Sequence, residues 1–550
     1  MDSVFHYHGR YGIYDIAGLN REKTMAPSYC FRSLVFAFIV ALLLVQPLGA
    51  EPVQADILLK GGTIHDGSGG EPVVGDVAIR DGRIVAVGTF EVAMADQVIP
   101  CEGLVIAPGF IDLHNHSDSV IVQDGTRANM NYVLQGCTTI VTGNCGSGPV
   151  NVKDYYDRVN SAGAGTNVVH LLPQGNLRRE VIGNARRKAT EKEIARMREL
   201  AGKAMEDGAW GMSTGLIYVP SSYASTDELV AIARVVSEKG GIYASHIRGE
   251  GSGLLDSINE AIEIGRRAKL PVHVSHFKSS GRDNWGLVRV AVDVINRARE
   301  EGQLVTADQY PYRASSTSLD ATLLPSRMRS GGRVAMVKRL DDPETGKAMV
   351  DAIRTALEKR DDGEAVRIAR YNPRKDWVGK SVAQIAKEEK KPPLNIALEI
   401  IRGGGAAIVN FSMDEADVRF VMRVPWVATA SDGRAYLPGP DRPHPRSYGT
   451  FPRKLGYYAI KQGNLPLAQA VRSASGLPAD ILGMKDRGYI RVDQVADVTV
   501  FDPQELTDAA SFDDPHQYSL GVRYVLVNGR LAVYRGTATG ALAGRALKKN

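Results

Sequence analysis

The sequence predicts an α/β fold: a (β/α)8 barrel of the TIM type, joined to a small β-sandwich built from both chain ends, with an insertion between strands seven and eight. Three observations carry this. The middle of the chain alternates near-continuous apolar β-type runs with amphipathic helical patterns, as a parallel sheet buried on both faces requires. Polar residues mark the ends of eight such runs: His114, Cys145, Gln174, Gly215, His246, His276, Asp308 and Asp432, at steps of 31, 29, 41, 31, 30, 32 and 124 residues. The two ends of the 550-residue chain share a β-rich texture that the middle lacks. A step of roughly 30 residues is one strand–helix crossover, and eight strands close a barrel. The last gap is about ninety residues too long for a crossover, which places the insertion at about 314–410.

Residues 34–45 read LVFAFIVALLLV, twelve apolar residues preceded by Arg32 and followed by QPLGAEPVQAD. This is the n-, h- and c-region pattern of an export signal, and it is short for a transmembrane span. Residues 1–50 are therefore expected to be a signal peptide and leader, cleaved near Ala50 or Ala55, with Val53-x-Ala55 the better small-residue pattern. An uncleaved anchor is the competing reading, and a start at Met25 would remove the odd polar stretch before it. The mature protein is then secreted or periplasmic and meets a membrane only through that segment. Hydrophobic residues make up 44% and charged residues 23%, as in a folded globular protein. The net charge of +5 falls to +4 without residues 1–50, which hold four Lys/Arg and three Asp/Glu; so mild an excess gives no argument for nucleic acid. Of four cysteines, Cys30 would leave with the signal, and Cys101, Cys137 and Cys145 are an odd set rather than a disulfide framework.

Residues 51–107 break into short β-rich segments, DILLKGGTIHDG, GDVAIRDGRIVAVG and QVIPCEGLVIAPG, with alternating apolar residues between Gly and Asp-Gly turns. Residues 476–550 repeat that texture in GYIRVDQVADVTVFD and VRYVLVNGRLAVYRG. Neither tail makes a core alone; paired, they make one sandwich, with the barrel of residues 108–475 inserted between them. The barrel strands are GFIDLH, TTIVTGNCG, NVVHLLPQGN, AWGMSTGLIY, GIYASHIR, PVHVSHFK, LVTADQYPY and WVATASDG. Segments such as EKEIARMRELAGKAMEDG and DELVAIARVVSEKG carry the helical period between them.

In such barrels the chemistry sits at the carboxyl ends of the strands. The residues there are His114 and His116, then Cys145 in GNCG, His246 in YASHIR, His276 in HVSHFK with Lys278 two residues on, and Asp432 in ASDG. Side chains two apart on a strand point the same way, so the imidazoles of His114 and His116 form a half-site for a borderline metal such as zinc. Singly, each residue has a plain structural reading: a solvated loop histidine, a hydrogen-bonded core histidine (His273 is the expected example), an inert buried thiol, a turn aspartate. Together, four histidines, a thiol and a carboxylate at matching strand ends make a zinc site with a position open for water. Zinc acidifies water and polarises a carbonyl; a carboxylate in reach takes the proton and later passes it to a leaving amine. The expected reaction class is metal-assisted hydrolysis of an amide-type bond.

The motifs PGFIDLHNHSD, QGCTTIVTGNCG, STGLIY, YASHIR, PVHVSHFK, NWG, DQYPY, SDG, HPRSYGTFPRKLG, SGLPAD and the ADVTVFD–VNGR tail span most of residues 55–540. In these the chain resembles the amidohydrolase superfamily and, within it, the N-acyl-D-amino-acid deacylases (D-aminoacylases). GNCG and HPRxYGTFPR are the more specific matches. Most of the superfamily places a carboxylated lysine between two metals; this branch uses a cysteine, which Cys145 matches. The resemblance implies a tight zinc on Cys145, His246 and His276, a second, weaker position at His114, His116 and Asp432, and Asp432 as general acid/base. It implies that Lys278, Tyr218 and Arg446 hold the substrate α-carboxylate, and that a tyrosine of DQYPY, Tyr310 rather than Tyr312, polarises the scissile carbonyl. A cation pair plus a phenol suits a planar carboxylate. Two departures stand out. Ser117 follows HNH where the family often has an aromatic residue, and Gln174-Gly175-Asn176-Leu177-Arg178 stands where it often has His-Gly before Thr-Leu-Arg. The second bears on acyl or side-chain preference and leaves the metal set intact.

The implied function is hydrolysis of a small-molecule N-acyl-D-amino acid to a carboxylate and a free D-amino acid. Two other readings stand beside it. One is a cyclic-amide (hydantoinase- or dihydropyrimidinase-like) or dipeptide hydrolase of the same superfamily, which usually carries the lysine bridge. The other is a non-catalytic periplasmic binding protein, against which the complete ligand and base set argues.

Overall fold

Eight parallel strands pair in chain order: Phe110–Asp112, Cys137–Thr142, Asn167–His170 continued by Leu172–Pro173, Gly211–Gly215, Ile242–His246, Val272–Val274, Val305–Gln309 and Val427–Thr429. These coordinates come from a computed structural model that describes residues 51–549. The expected signal segment, including Cys30 and Ala50, lies outside the described residues. Ala55 lies within the strand Val53–Ile64, buried and paired with Ala95, so a cut after it would remove the start of a hydrogen-bonded strand.

The pairing runs full circle. Beyond the eighth strand, Asn115 and Gly433 form a parallel bridge, Asp432 N–H donates to the His114 carbonyl at 2.8 Å, and His116 N–H donates to that of Gly433 at 2.8 Å. The third strand changes partner at Leu171: residues before it pair with Cys137–Thr142 and those after it with Gly211–Gly215. The long step of 41 residues from Gln174 to Gly215 has a simple cause. Two helices, Gln174–Ile182 and Glu191–Glu206, fill the gap between the third and fourth strands. The second starts with Thr190 and Glu193 in a capping box, which satisfies two orphan N–H groups, and buries Met197, Ala201, Ala204 and Met205 against the core. Gln174 opens the first of these helices rather than ending a strand, because Pro173 cannot donate to the ladder.

Between the seventh and eighth strands, Ala314–Ser318, Ala407–Phe411 and Val366–Arg370 form a three-stranded antiparallel sheet with Ala407–Phe411 in the middle. Helices including Gly346–Glu358 and Pro393–Arg402 pack on it around Ile353, Ile368, Trp377, Ile396 and Ile408, an apolar cluster separate from that of the parallel strands.

The chain ends meet in one nine-stranded sheet. Where two sheets were expected, the hydrogen bonding is continuous. Val105–Pro108 is the joint, parallel to Val53–Ile64 on one edge and antiparallel to Val498–Phe501 on the other. Alternation along Val53–Ile64 sends Ile57 and Leu59 into a cluster shared with Val498 and Leu526, and Leu58 between them into a second cluster with Ala78. The C-terminal residues correct the sequence reading, which assigned all of 476–550 to this unit. Helix Gly476–Leu482 packs Leu477, Ala479 and Leu482 against Ile111, Val141, Val169 and Ala428 of the parallel strands. Gly544 and Ala546 bridge to Ala164 and Val168, and Trp210 Nε1 donates to the Leu547 carbonyl at 2.7 Å. Burial of the apolar strand starts outweighs continuation of the sheet. Among the described residues, no helix is long and apolar enough to cross a membrane.

Candidate metal and substrate site

Cys145 is presented by a turn that few sequences could make. The strand Cys137–Thr142 ends at Gly143, φ +77°, where a Cβ would run into the Leu171 carbonyl oxygen. Cys145 itself has φ +52°, uncommon for a residue with a side chain. The turn is pinned from several sides. Gly143 N–H donates to Asp118 Oδ1 at 2.6 Å, and Asn144 Nδ2 donates to the carbonyls of Leu113 and Val141 at 3.1 and 2.9 Å. Ser213 Oγ accepts from Gly146 N–H at 3.0 Å and donates to the Gly143 carbonyl. Gly215, ending the fourth strand, leaves the space in which the Cys145 carbonyl sits. His276 and Asp432 also have left-handed backbones, at φ +37° and +50°. The His276 N–H is held by Asp308 Oδ1 at 2.7 Å. Such conformations cost roughly 1–2 kcal/mol each and persist only where the surroundings enforce them.

The donor atoms of the set converge. Cys145 Sγ lies 3.6 Å from His246 Nδ1, 3.8 Å from His276 Nε2 and 3.2 Å from His114 Nε2. His246 Nδ1 and His276 Nε2 are 2.7 Å apart. Asp432 Oδ1 lies 3.0 Å from His116 Nε2 and 3.5 Å from His114 Nε2. Donor atoms lie within 4.8 Å of one another in three triads: Cys145, His246 and His276; His114, His116 and Cys145; and His114, His276 and Asp432. Two imidazoles and a thiol at such spacing suit zinc and leave one tetrahedral position open.

Carboxylates back the histidines. Glu250 Oε1 is 2.8 Å from His276 Nδ1 and 2.6 Å from Lys278 Nζ. Asp308 Oδ2 is 3.4 Å from His114 Nδ1 and 2.9 Å from His273 Nε2. His273, with its other nitrogen 2.9 Å from Thr306 Oγ1, is a fully partnered structural histidine. Burial raises the pKa of the Cys145 thiol, but the neighbouring histidines, His114 foremost, outweigh burial and hold it well below the usual thiol range. Burial likewise opposes ionisation of Asp432, and Arg446, whose Nη1 is 2.7 Å from Asp432 Oδ2, together with His114, His116 and His276 outweighs it and keeps the carboxylate charged.

These residues face a cavity of about 370 Å³, a size typical of small-ligand sites. His116, Cys145, His246, His276 and Asp432 line it, with Lys278, Tyr218, Tyr310 and Arg446; His114 is fully buried beside them. The Tyr310 ring lies 4.8 Å from the Arg446 guanidinium and 5.7 Å from Lys278 Nζ, and its buried hydroxyl has no hydrogen-bond partner. Tyr312 lies apart from the cavity lining, edge-on to His444 with Arg453 over its ring. Tyr218 packs its ring 5.1 Å from that of His246, and its hydroxyl is 3.1 Å from Thr317 Oγ1.

The sequence model described as "Amidohydrolase family" matches residues 97–533. The chain belongs to the amidohydrolase family. It is similar to D-aminoacylase of Alcaligenes xylosoxydans xylosoxydans, 34% identical over 518 residues that cover 90% of this chain and 98% of that protein. It is also similar to N-acyl-D-aspartate deacylase of the same organism, 35% identical over 515 residues, 89% of this chain and 94% of the relative. A crystal structure of N-acyl-D-glutamate deacylase from Bordetella bronchiseptica, complexed with zinc and a phosphonate mimic of the tetrahedral intermediate, matches at a TM-score of 0.78. Identity to it is 31%, over 90% of this chain and 100% of that one.

In this amidohydrolase, sequence reasoning missed Glu250 and used Asp308 only to mark a strand end. Glu250 follows Gly249 and precedes Gly251, a setting that reads as a solvated loop charge. A signal was nonetheless present. An acid four residues after a strand-end histidine can fold back over the next strand end, where His276 and Lys278 sit. The inserted segment also supplies Ser315 to Ser318 to the cavity lining, which its sequence does not announce.

Proposed function

We propose that this protein is a zinc-dependent N-acyl-D-amino-acid deacylase, hydrolysing the acyl amide to a carboxylate and a free D-amino acid. The observation that carries the reading is the Cys145 thiol, held by its turn between the pair His246–His276 and the pair His114–His116, beside a cavity with Lys278, Tyr310 and Arg446. Cys145, His246 and His276 would hold a tight zinc, and His114, His116 and Asp432 a second, weaker metal. When bound, zinc supplies Lewis acidity toward the scissile carbonyl and toward water. Asp432, ionised and oriented by His116 and Arg446, takes a proton from the attacking water and delivers it to the departing amine.

The geometry favours exchanging the two tyrosine roles expected from the resemblance. Tyr310 lies against both cations with a free hydroxyl, which suits the α-carboxylate together with Arg446 and Lys278. Tyr218 lies against His246 and is the better donor to the carbonyl oxygen. The parallel circuit supports a (β/α)8 barrel over residues 108–475 carrying the inserted lobe, with the terminal sheet as its accessory. The apolar run at 34–45 supports export to the periplasm or beyond.

A racemic panel of N-acetyl-amino acids with the zinc-loaded protein tests the activity. Amine release from the D-enantiomers alone is expected; equal release from both, or release from L alone, refutes it.

A further inference from the structure

The walls of the cavity point to the kind of substrate it takes. Apart from Tyr218 and Tyr310, the only apolar side chains lining it, among the described residues, are Ile217 and Val219. The remaining wall is hydroxyl-rich, with Ser315 to Ser318 from the inserted lobe and Ser147 and Ser221 from the loops. A site for a leucine-, methionine- or phenylalanine-sized group would need apolar area to bury, at roughly 25 cal/mol per Å².

Arg179 also lines this cavity. Three lysine and arginine side chains do so, and two are paired with carboxylates: Lys278 with Glu250 at 2.6 Å and Arg446 with Asp432 at 2.7 Å. No carboxylate of the described residues forms a salt bridge with Arg179. Its guanidinium is instead fixed by neutral acceptors: Asn176 Oδ1 at 2.7 Å, the Val219 carbonyl at 3.1 Å and Asn184 Oδ1 at 3.3 Å. Those bonds use three of the five N–H groups of a guanidinium and leave two for a ligand. Asn176, in the segment where this chain departs from its family's usual pattern, also donates to the Gly148 carbonyl at 2.7 Å, which ties the arginine to the Cys145 turn. Arg179 is exposed, so it stands where the cavity meets solvent; an oriented cation there, without its own counter-charge, can receive an anion.

We infer that Arg179 reads a second anionic group on the substrate, so that the preferred substrates carry one carboxylate on the α-carbon and another elsewhere. This rests on the deacylase reading. The second carboxylate belongs either to an acidic D-side chain or to a dicarboxylic acyl group.

The test compares kcat/KM for N-acetyl-D-glutamate against N-acetyl-D-glutamine, which differ by that charge alone, and for N-succinyl-D-alanine against N-butyryl-D-alanine. In the zinc-loaded wild type, at least one member bearing the second carboxylate is expected to win its pair by about tenfold or more. Arg179→Gln should bring the winning ratio close to one, and Arg179→Lys should keep part of it. The first pair winning assigns the contact to the side chain, the second to the acyl group. Ratios near one in the wild type, or a ratio unchanged in Arg179→Gln, overturn the inference and leave the deacylase standing. Absence of turnover on every N-acyl-D-amino acid overturns both.

Discussion

The two halves of the proposed metal site are built differently. Cys145, His246 and His276 are all buried; Cys145 is set by a turn pinned by three side chains, those of Asp118, Asn144 and Ser213, and His276 is backed by Glu250. On the opposite side, His116 keeps 30% of its side chain exposed, and Asp432 divides its two oxygens between histidines and Arg446. In the first half the backbone fixes the Cys145 and His276 donors and Glu250 engages the second nitrogen of His276, while the second nitrogen of His246 has no hydrogen-bond partner. The second has a carboxylate already engaged by a cation and a ligand open to solvent. Ligands fixed by outer partners bind metal more tightly than ligands with competing attachments, so one half is suited to holding an ion and the other to moving protons.

Substitutions can break that contrast or sharpen it. Asp432→Asn should have the largest effect, lowering kcat/KM by about 10³- to 10⁴-fold as general acid/base catalysis is lost, while mass spectrometry still finds zinc at the wild-type level. Zinc lost in parallel with activity would place Asp432 in the tight half and break the contrast. Cys145→Ala should weaken zinc binding by more than the roughly 100-fold that an outer partner is worth, read by competition with a chelating dye. Glu250→Gln, which keeps shape and removes charge from the His276 contact, should cost about 10- to 100-fold in zinc affinity; an unchanged affinity would reduce Glu250 to a partner of Lys278 alone. His116→Ala should be mildest, changing the affinity of the tight ion less than about tenfold and abolishing only the uptake of a second equivalent in a metal titration.

Much of this arrangement was legible in the sequence because it is periodic. Strand ends about thirty residues apart place His114, Cys145, His246 and His276 on one rim, His116 joins them by strand alternation, and Asp432 is reached only by allowing for an insertion in the 124-residue last step. What escaped depends on contacts that no local pattern encodes. Glu250 matters because its loop returns to His276. Asp308 matters because one carboxylate meets His114, His273 and the His276 amide together. The serine wall belongs to a segment recognised only by its length, and Gly476–Leu482 and residues 544–549 cover the strand starts although their neighbours in sequence are sheet. The tyrosine roles could not be ranked from spacing, since both phenols stand at strand ends and only their distances from the cations separate them.

The left-handed backbones at Cys145, His276 and Asp432 set a limit on how this enzyme can be improved. Glycine or asparagine relaxes such a position, so a screen that rewards heat resistance alone has an easy route at three of the residues assigned to the chemistry in the proposed function. Each step along that route would make a sturdier protein and a poorer catalyst. Stabilising designs are better directed at the inserted lobe, whose separate apolar cluster around Trp377 and Ile396 can be repacked without touching the strand ends.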